Sequence, residues 1–190
     1  MTAVETIERP DRGRVGIVGL IVAETAVFTI FVVAYLYYIG KSLSGPTPAE
    51  VLDLPVVVSI LLWSSSVTIH LAVRALRGGR VQTFVLWWFL TILLGALFLT
   101  GTGREWYRLI FDHGLTIRTN LFGTTFYSLV GLHAFHVTVG LLFFVVVLAL
   151  ALTGRIGREH AARTHVLAMY WHFVDAVWIV VFTVVYVVGR

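Results

Sequence analysis

Ala168 to Tyr186 reads AMYWHFVDAVWIVVFTVVY. A membrane-spanning helix needs about 20 mostly apolar residues, and this run meets that length. Yet it carries His172 and Asp175 in its first half. An ionisable group inside hydrocarbon costs several kcal/mol, so such groups face the protein interior and a partner. Positions three apart share one face of a helix. His172 and Asp175 therefore point the same way, and Trp171 and Trp178 flank that face.

The rest of the chain has the composition of a membrane protein. Of its 190 residues, 58% are hydrophobic and 13% charged. Globular domains run at about 45–50% apolar and about 25% charged. The net charge of +4 comes from basic residues in short connections, so it bears on membrane topology and not on nucleic acid. With no cysteine there are no disulfides, thiolate metal sites, iron–sulfur clusters or cysteine nucleophiles. Met1 to Arg14 is polar and holds Glu5, Glu8 and Asp11. The apolar run after it exceeds the about 7–15 residues of a signal h-region, so no cleavable signal peptide is expected.

Length and hydrophobicity predict five spans in one all-α membrane domain, residues 1–190. They run at about 15–39, 54–76, 81–99, 120–152 and 164–188. The fourth is long enough to tilt or to extend beyond the bilayer. Breakers fill the connections: Gly45, Pro46 and Pro48, then Gly78 and Gly79, then Gly101 and Gly103 ending the third span, then Gly154 and Gly157. One side would hold nine basic residues: Arg9, Arg12, Arg14, Arg74, Arg77, Arg80, Arg155, Arg158 and Arg163. The other would hold five: Lys41, Arg104, Arg108, Arg118 and Arg190. This bias puts the N-terminus in the cytoplasm and the C-terminus outside. Tyr37, Tyr38, Trp87, Trp88, Trp106 and Tyr107 suit interfacial belts.

Several polar residues fall inside these spans. Glu24 sits mid-way along the first, either as a neutral carboxyl bonded to another helix or as a group that also exchanges protons or holds a lipid head group. Ser64, Ser65, Ser66 and Thr68 in the second read as interhelical glue, and His70, one turn before Arg74, as an interfacial histidine. In the fourth, His133 and His136 share a face, and Gly131, Ala134 and Gly140 would admit a close neighbour. Glu24, His133, His136, His172 and Asp175 form the expected intramembrane polar network, joining the first, fourth and fifth spans. Trp63, Trp171, Trp178 and Arg74 are candidate lipid or interface contacts. A di-iron site needs several glutamates and Glu-x-x-His motifs, whereas these spans hold one glutamate and one aspartate. A bis-histidine haem needs ligands from opposite faces, which His133 and His136 on one helix do not supply. No metal ligand and no catalytic residue is expected, and no phosphate loop or nucleophile triad occurs.

Two motifs carry a resemblance. YWHFVDAVW, Tyr170 to Trp178, resembles the signature of the last helix of cytochrome c oxidase subunit III. Gly131, His133, His136 and Val137 match that family's Gly-x-His-x-x-His-Val element, with Val130 and Ala134 standing where threonine and glycine are usual. Glu24 with Ala23, Phe28, Phe31, Ala34 and Tyr35 resembles the family's glutamate helix. Glu105–Trp106 resembles a Glu-Tyr pair. ILLWSSSVT keeps the family's serines, but its Asn-Thr is missing from residues 54–59. The matches span Ala23 to Trp178 in the family's order.

The resemblance implies the five-helix form of a haem–copper oxidase subunit in a prokaryotic cytoplasmic membrane. Such a subunit binds no redox metal. Haem and copper belong to partner subunits, where subunit I reduces O₂ and pumps protons. Subunit I would be the main contact, beside subunit II, a small subunit IV and membrane lipids, and proton uptake would be supported at the cytoplasmic side. His160, His165 and Glu159 lie in a short basic loop there, which either buffers protons at an entry point, since histidine as a residue type titrates near neutral pH, or is simply solvated. The same form occurs in quinol oxidases and in nitric oxide reductase accessory proteins. A reading of another class is a stand-alone membrane transporter or redox protein using the polar core.

Overall fold

The computed structural model describes residues 12–190, with no side-chain description for Arg12. Arg9 and the acidic residues of the N-terminal segment lie outside that range. Helix α1 covers Arg12–Tyr38 and a single turn, α2, covers Pro48–Val51. Then come α3 (Val56–Arg77), α4 (Val81–Phe111), α5 (Leu121–Leu152) and α6 (Ala161–Phe182). A 3₁₀ turn, Arg158–His160, leads into α6, and a π-helical turn, Thr183–Val188, continues it. Five of these segments are long and apolar enough to cross a membrane.

Local chemistry sets the boundaries. Gly40 takes the left-handed φ of 69° that closes α1. Pro48 opens α2, where the Thr47 amide donates to Glu50 Oε2 at 2.9 Å. Pro55 precedes α3, and Gly78–Gly79 turns the chain directly into α4. Asn120 caps α5 by accepting from the Gly123 amide at 2.8 Å. Its Nδ2 donates to the carbonyls of Ser44 and Pro46, both at 3.1 Å, so the loop before α5 is laced to the loop after α1.

The third span needs correction. It does not stop near residue 99. It continues through Gly101 and Gly103 to Phe111, a rod of about 46 Å at 1.5 Å per residue. A helical glycine costs only about 1 kcal/mol relative to alanine, which packing readily offsets. Here the packing is visible: a Cβ on Gly101 would collide with the Val58 side chain, so the glycine lets α3 and α4 pass closely. Glu105 is consequently inside a helix, and the spans hold a second glutamate.

α6 lies against α3, α5 and α1, while α4 bridges α3 and α5. The core between them holds fully buried Trp88, Trp171, Trp178, Phe84, Phe98, Phe126 and Phe144. Trp171 enters a notch made by two glycines. A Cβ on Gly95 of α4 or Gly140 of α5 would come within about 3 Å of its ring. Among the described side chains of α1 only Ile17, Phe28 and Tyr35 are buried, and much of that helix faces outward with Val, Ile and Leu side chains. Trp88 does not belong to an interfacial belt. It is buried and donates to the Phe144 carbonyl at 2.9 Å, whereas Tyr37, Tyr38 and Tyr107 are exposed.

Candidate functional site: polar contacts inside the bundle

The expected single polar network divides into two, because the last helix points its charged face elsewhere. His172 and Asp175 face α3, not α5 or α1. His172 Nδ1 lies 3.0 Å from Ser66 Oγ, and the same hydroxyl donates to Asp175 Oδ2. A serine has one hydroxyl proton. If that proton goes to the carboxylate, His172 Nδ1–H must be the donor to Ser66. The order is then His172 to Ser66 to Asp175, with no direct bond between the two ionisable groups. Asp175 is 4% exposed, and its Oδ1 has no hydrogen-bond partner among the described residues.

Two tryptophans extend this seam. Trp171 Nε1 donates to Ser65 Oγ at 2.7 Å, and Trp178 Nε1 to Ser59 Oγ at 3.0 Å. Ser65 passes its own proton to the Leu62 carbonyl of α3, and Ser59 to the carbonyl of Pro55, the residue that caps the start of α3. Buried indole N–H groups need such acceptors. Trp171 and Trp178 are therefore inside the protein and make no lipid contact, contrary to their reading as surface candidates. Trp63 is half-buried beside Phe182, ring centres 5.8 Å apart, and Arg74 is exposed near the end of α3. Ser59 gave no separate sequence signal, because its partner lies 119 residues away.

The second group joins α1 to α5. His136 Nε2 lies 3.1 Å from Glu24 Oε2, and His136 Nδ1 lies 2.8 Å from the Leu132 carbonyl. A carbonyl only accepts, so Nδ1 carries the hydrogen. One further proton then sits between Nε2 and the Glu24 carboxyl, on whichever atom holds it. Glu24 keeps a quarter of its side chain exposed, whereas His136 keeps about a tenth. Tyr170 of α6 donates its hydroxyl to the His136 carbonyl at 3.0 Å, the one polar link here from α6 to α5.

His133 joins neither group. It is fully buried and stacked on Trp178, centres 4.9 Å apart, with Phe98 edge-on at 5.8 Å. Neither ring nitrogen has a hydrogen-bond partner among the described residues. Sharing a face with His136 does not give it a shared partner, because an aromatic box fills its side of α5.

A polar contact that the sequence reading missed lies toward the other end of α4. Tyr186 Oη donates to Glu105 Oε2 at 2.9 Å. In the loop before α3, Asp53 pairs with Arg108 from the last turn of α4, which holds its carboxyl below the usual carboxylate range through a charged hydrogen bond. No cluster of three or more His, Cys, Asp or Glu side chains is placed to hold a metal among the described residues.

Comparison with known proteins decides the family. The sequence profile of cytochrome c oxidase subunit III matches residues 9–190. Cytochrome c oxidase subunit 3 of Synechocystis sp. is 40% identical over 181 residues, 93% of this chain and 76% of the relative. Its counterpart in Alkalihalophilus pseudofirmus is 36% identical over 168 residues, 87% of this chain and 82% of the relative. That of Corynebacterium diphtheriae is 36% identical over 189 residues, 96% and 91% respectively.

The chain belongs to the cytochrome c oxidase subunit III family. Five span-forming helices and these bacterial relatives make it an integral membrane protein and subunit III of a haem–copper oxidase. Its two family motifs occupy different positions in the bundle: YWHFVDAVW forms the α3–α6 seam, and His136 of the histidine pair forms the α1–α5 pair.

Proposed function

We propose that this chain is a non-catalytic support for the oxidase, packed beside subunit I and in contact with subunit II and, where present, a small subunit IV. Haem and copper reside in those partners, which carry out electron transfer and proton pumping. The carrying observation is how the ionisable groups inside the bundle are used. Glu24, His136, His172 and Asp175 each serve a helix-to-helix contact, and they do not converge on one cavity where a substrate or metal would be held. The largely uncovered apolar face of α1 offers surface for lipid.

The basic end, where α3 ends and α6 begins, faces the cytoplasm in this reading, by the positive-inside bias of the loops. His160, paired with Glu159 at 3.1 Å, and His165 then lie on the side of proton uptake. Removal of the chain from the purified complex tests the assignment. Haem and copper spectra and the initial rate should stay intact, and activity should decline faster over many turnovers. Immediate loss of a haem or copper signal would place a redox ligand in this chain and overturn the proposal.

A further inference from the structure

Toward the end where α3 stops and α6 starts, their seam opens into a cavity of about 350 Å³. Its wall is cationic. His70, Arg74 and Arg77 come from α3, and His165 and His172 from α6, over an apolar back of Val73 and Ala168. His70, Arg74 and Arg77 are spaced to form one stripe that descends about 10 Å along α3. No carboxylate of the described residues lines the cavity. Neither arginine meets a carboxylate within ion-pair distance among the described residues, where the ion pairs are Arg108–Asp53, His136–Glu24 and His160–Glu159. At the inner end, His172 spends Nδ1 on Ser66, and Nε2 has no hydrogen bond to a described residue.

Arg74 and Arg77 are exposed in the last turn of α3 with no carboxylate partner among the described residues, so an anion entering from that end meets both. The geometry suits one anion class best. Two guanidinium groups one turn apart offer up to ten N–H donors in planar forks. A carboxylate has two oxygens to receive them, whereas a phosphoryl group has more acceptor oxygens and can carry a second charge. The cavity is roughly ten times the about 30 Å³ of a water molecule, room for a phosphoryl group and its ester substituent. We propose that this cavity binds a phosphoryl group, held by Arg74 and Arg77 with His70 and His165 as further donors. The group is carried either by an anionic lipid whose head group reaches the end of the seam, or by a soluble phosphate.

The oxidase complex containing this chain is purified in wild-type form, as Arg74→Gln/Arg77→Gln and as Arg104→Gln, an exposed arginine that lines no part of this cavity. Each is subjected to inorganic phosphate, and to phosphatidylcholine discs with or without phosphatidylglycerol. Binding is read as thermal stabilisation and as phosphorus retained per complex. The double variant should bind at least about tenfold more weakly, and Arg104→Gln should match wild type. Response to phosphatidylglycerol alone assigns the group to a lipid, and response to phosphate assigns it to a soluble ligand. No response in wild type, an equal response in the double variant, or a partner carboxylate seated between the arginines in the complex overturns the proposal. If the double variant does not assemble, His165→Phe keeps both arginines and replaces one donor with an apolar ring. Affinity should then fall several-fold, and unchanged affinity overturns the site.

Discussion

α6 meets α3, and α1 meets α5, through polar side chains in one bundle, yet the two seams are built differently. The α3–α6 seam is a ladder. Ser59, Ser65 and Ser66 each receive a partner from α6, and the aromatic partners are wholly buried. The α1–α5 seam has one strong contact, Glu24–His136, on a helix with few buried residues and a carboxyl partly open to its surroundings. The difference teaches where the subunit is rigid. Interhelical hydrogen bonds in membranes average only about 0.6 kcal/mol each, so several combined with close packing are needed to fix a helix. α6 has them and α1 does not.

The sharpest way to break the contrast is to empty the notch. Trp171→Ala removes a fully buried ring seated against Gly95 and Gly140, and takes away the hydrogen bond that Ser65 accepts from α6. It should cost about 3–5 kcal/mol and lower the melting temperature of the complex more than any change on α1. A cost below that of an α1 substitution would end the claim that α6 is the fixed element.

Next comes Ser66→Ala. It leaves His172 Nδ1 and Asp175 Oδ2 without the group that links them, for about 1–3 kcal/mol. Detergent resistance of the assembled complex measures this. Wild-type resistance would mean the link does not hold the seam.

On the weaker seam, Glu24→Leu should cost about 1 kcal/mol by stranding His136 Nε2. Glu24→Gln offers an amide N–H to the same atom and should recover most of that loss. If Gln is as damaging as Leu in thermal unfolding, the contact depends on charge and the α1 seam is stronger than drawn here.

The smallest effect belongs to the exposed pair of loop residue Asp53 and Arg108 in the last turn of α4. Arg108 depresses the Asp53 carboxyl, so the stabilisation is present above the ordinary carboxylate range and is lost as pH falls through the lowered folded value. Most of Asp53 is solvated, so Asp53→Asn should cost under about 1 kcal/mol. Acid unfolding curves of the variant and the wild type should converge at low pH.

How much of this was legible depends on distance along the chain. The five spans follow from apolar length, and the shared face of His172 and Asp175 follows from helical period. Which helix that face meets did not follow, because period fixes a direction on one helix and says nothing of its neighbours. The serine run read as interhelical glue, but Ser66 serves Asp175 and Ser65 serves Trp171 through contacts more than 100 residues apart. Gly101 and Gly103 misled for a different reason. A glycine that ends a helix and one that admits a neighbouring side chain look alike until Val58 is seen against Gly101. That misreading also hid Glu105 and its bond to Tyr186.

The notch that receives Trp171 has a consequence for how the chain is assembled. Gly95 and Gly140, which line it, and the serines of α3 all precede α6 in the chain. During synthesis they enter the membrane before the side chains that cover them. In that interval Ser59 and Ser65 can return their protons to their own helix carbonyls, as they do in the finished fold, so the waiting helix stays satisfied in hydrocarbon. Ser66 is different, for its proton goes to α6. Ser66 apart, the serines of the waiting spans carry little penalty in the bilayer, and the bonds of Ser66 are completed only when the Trp-His-Asp face arrives.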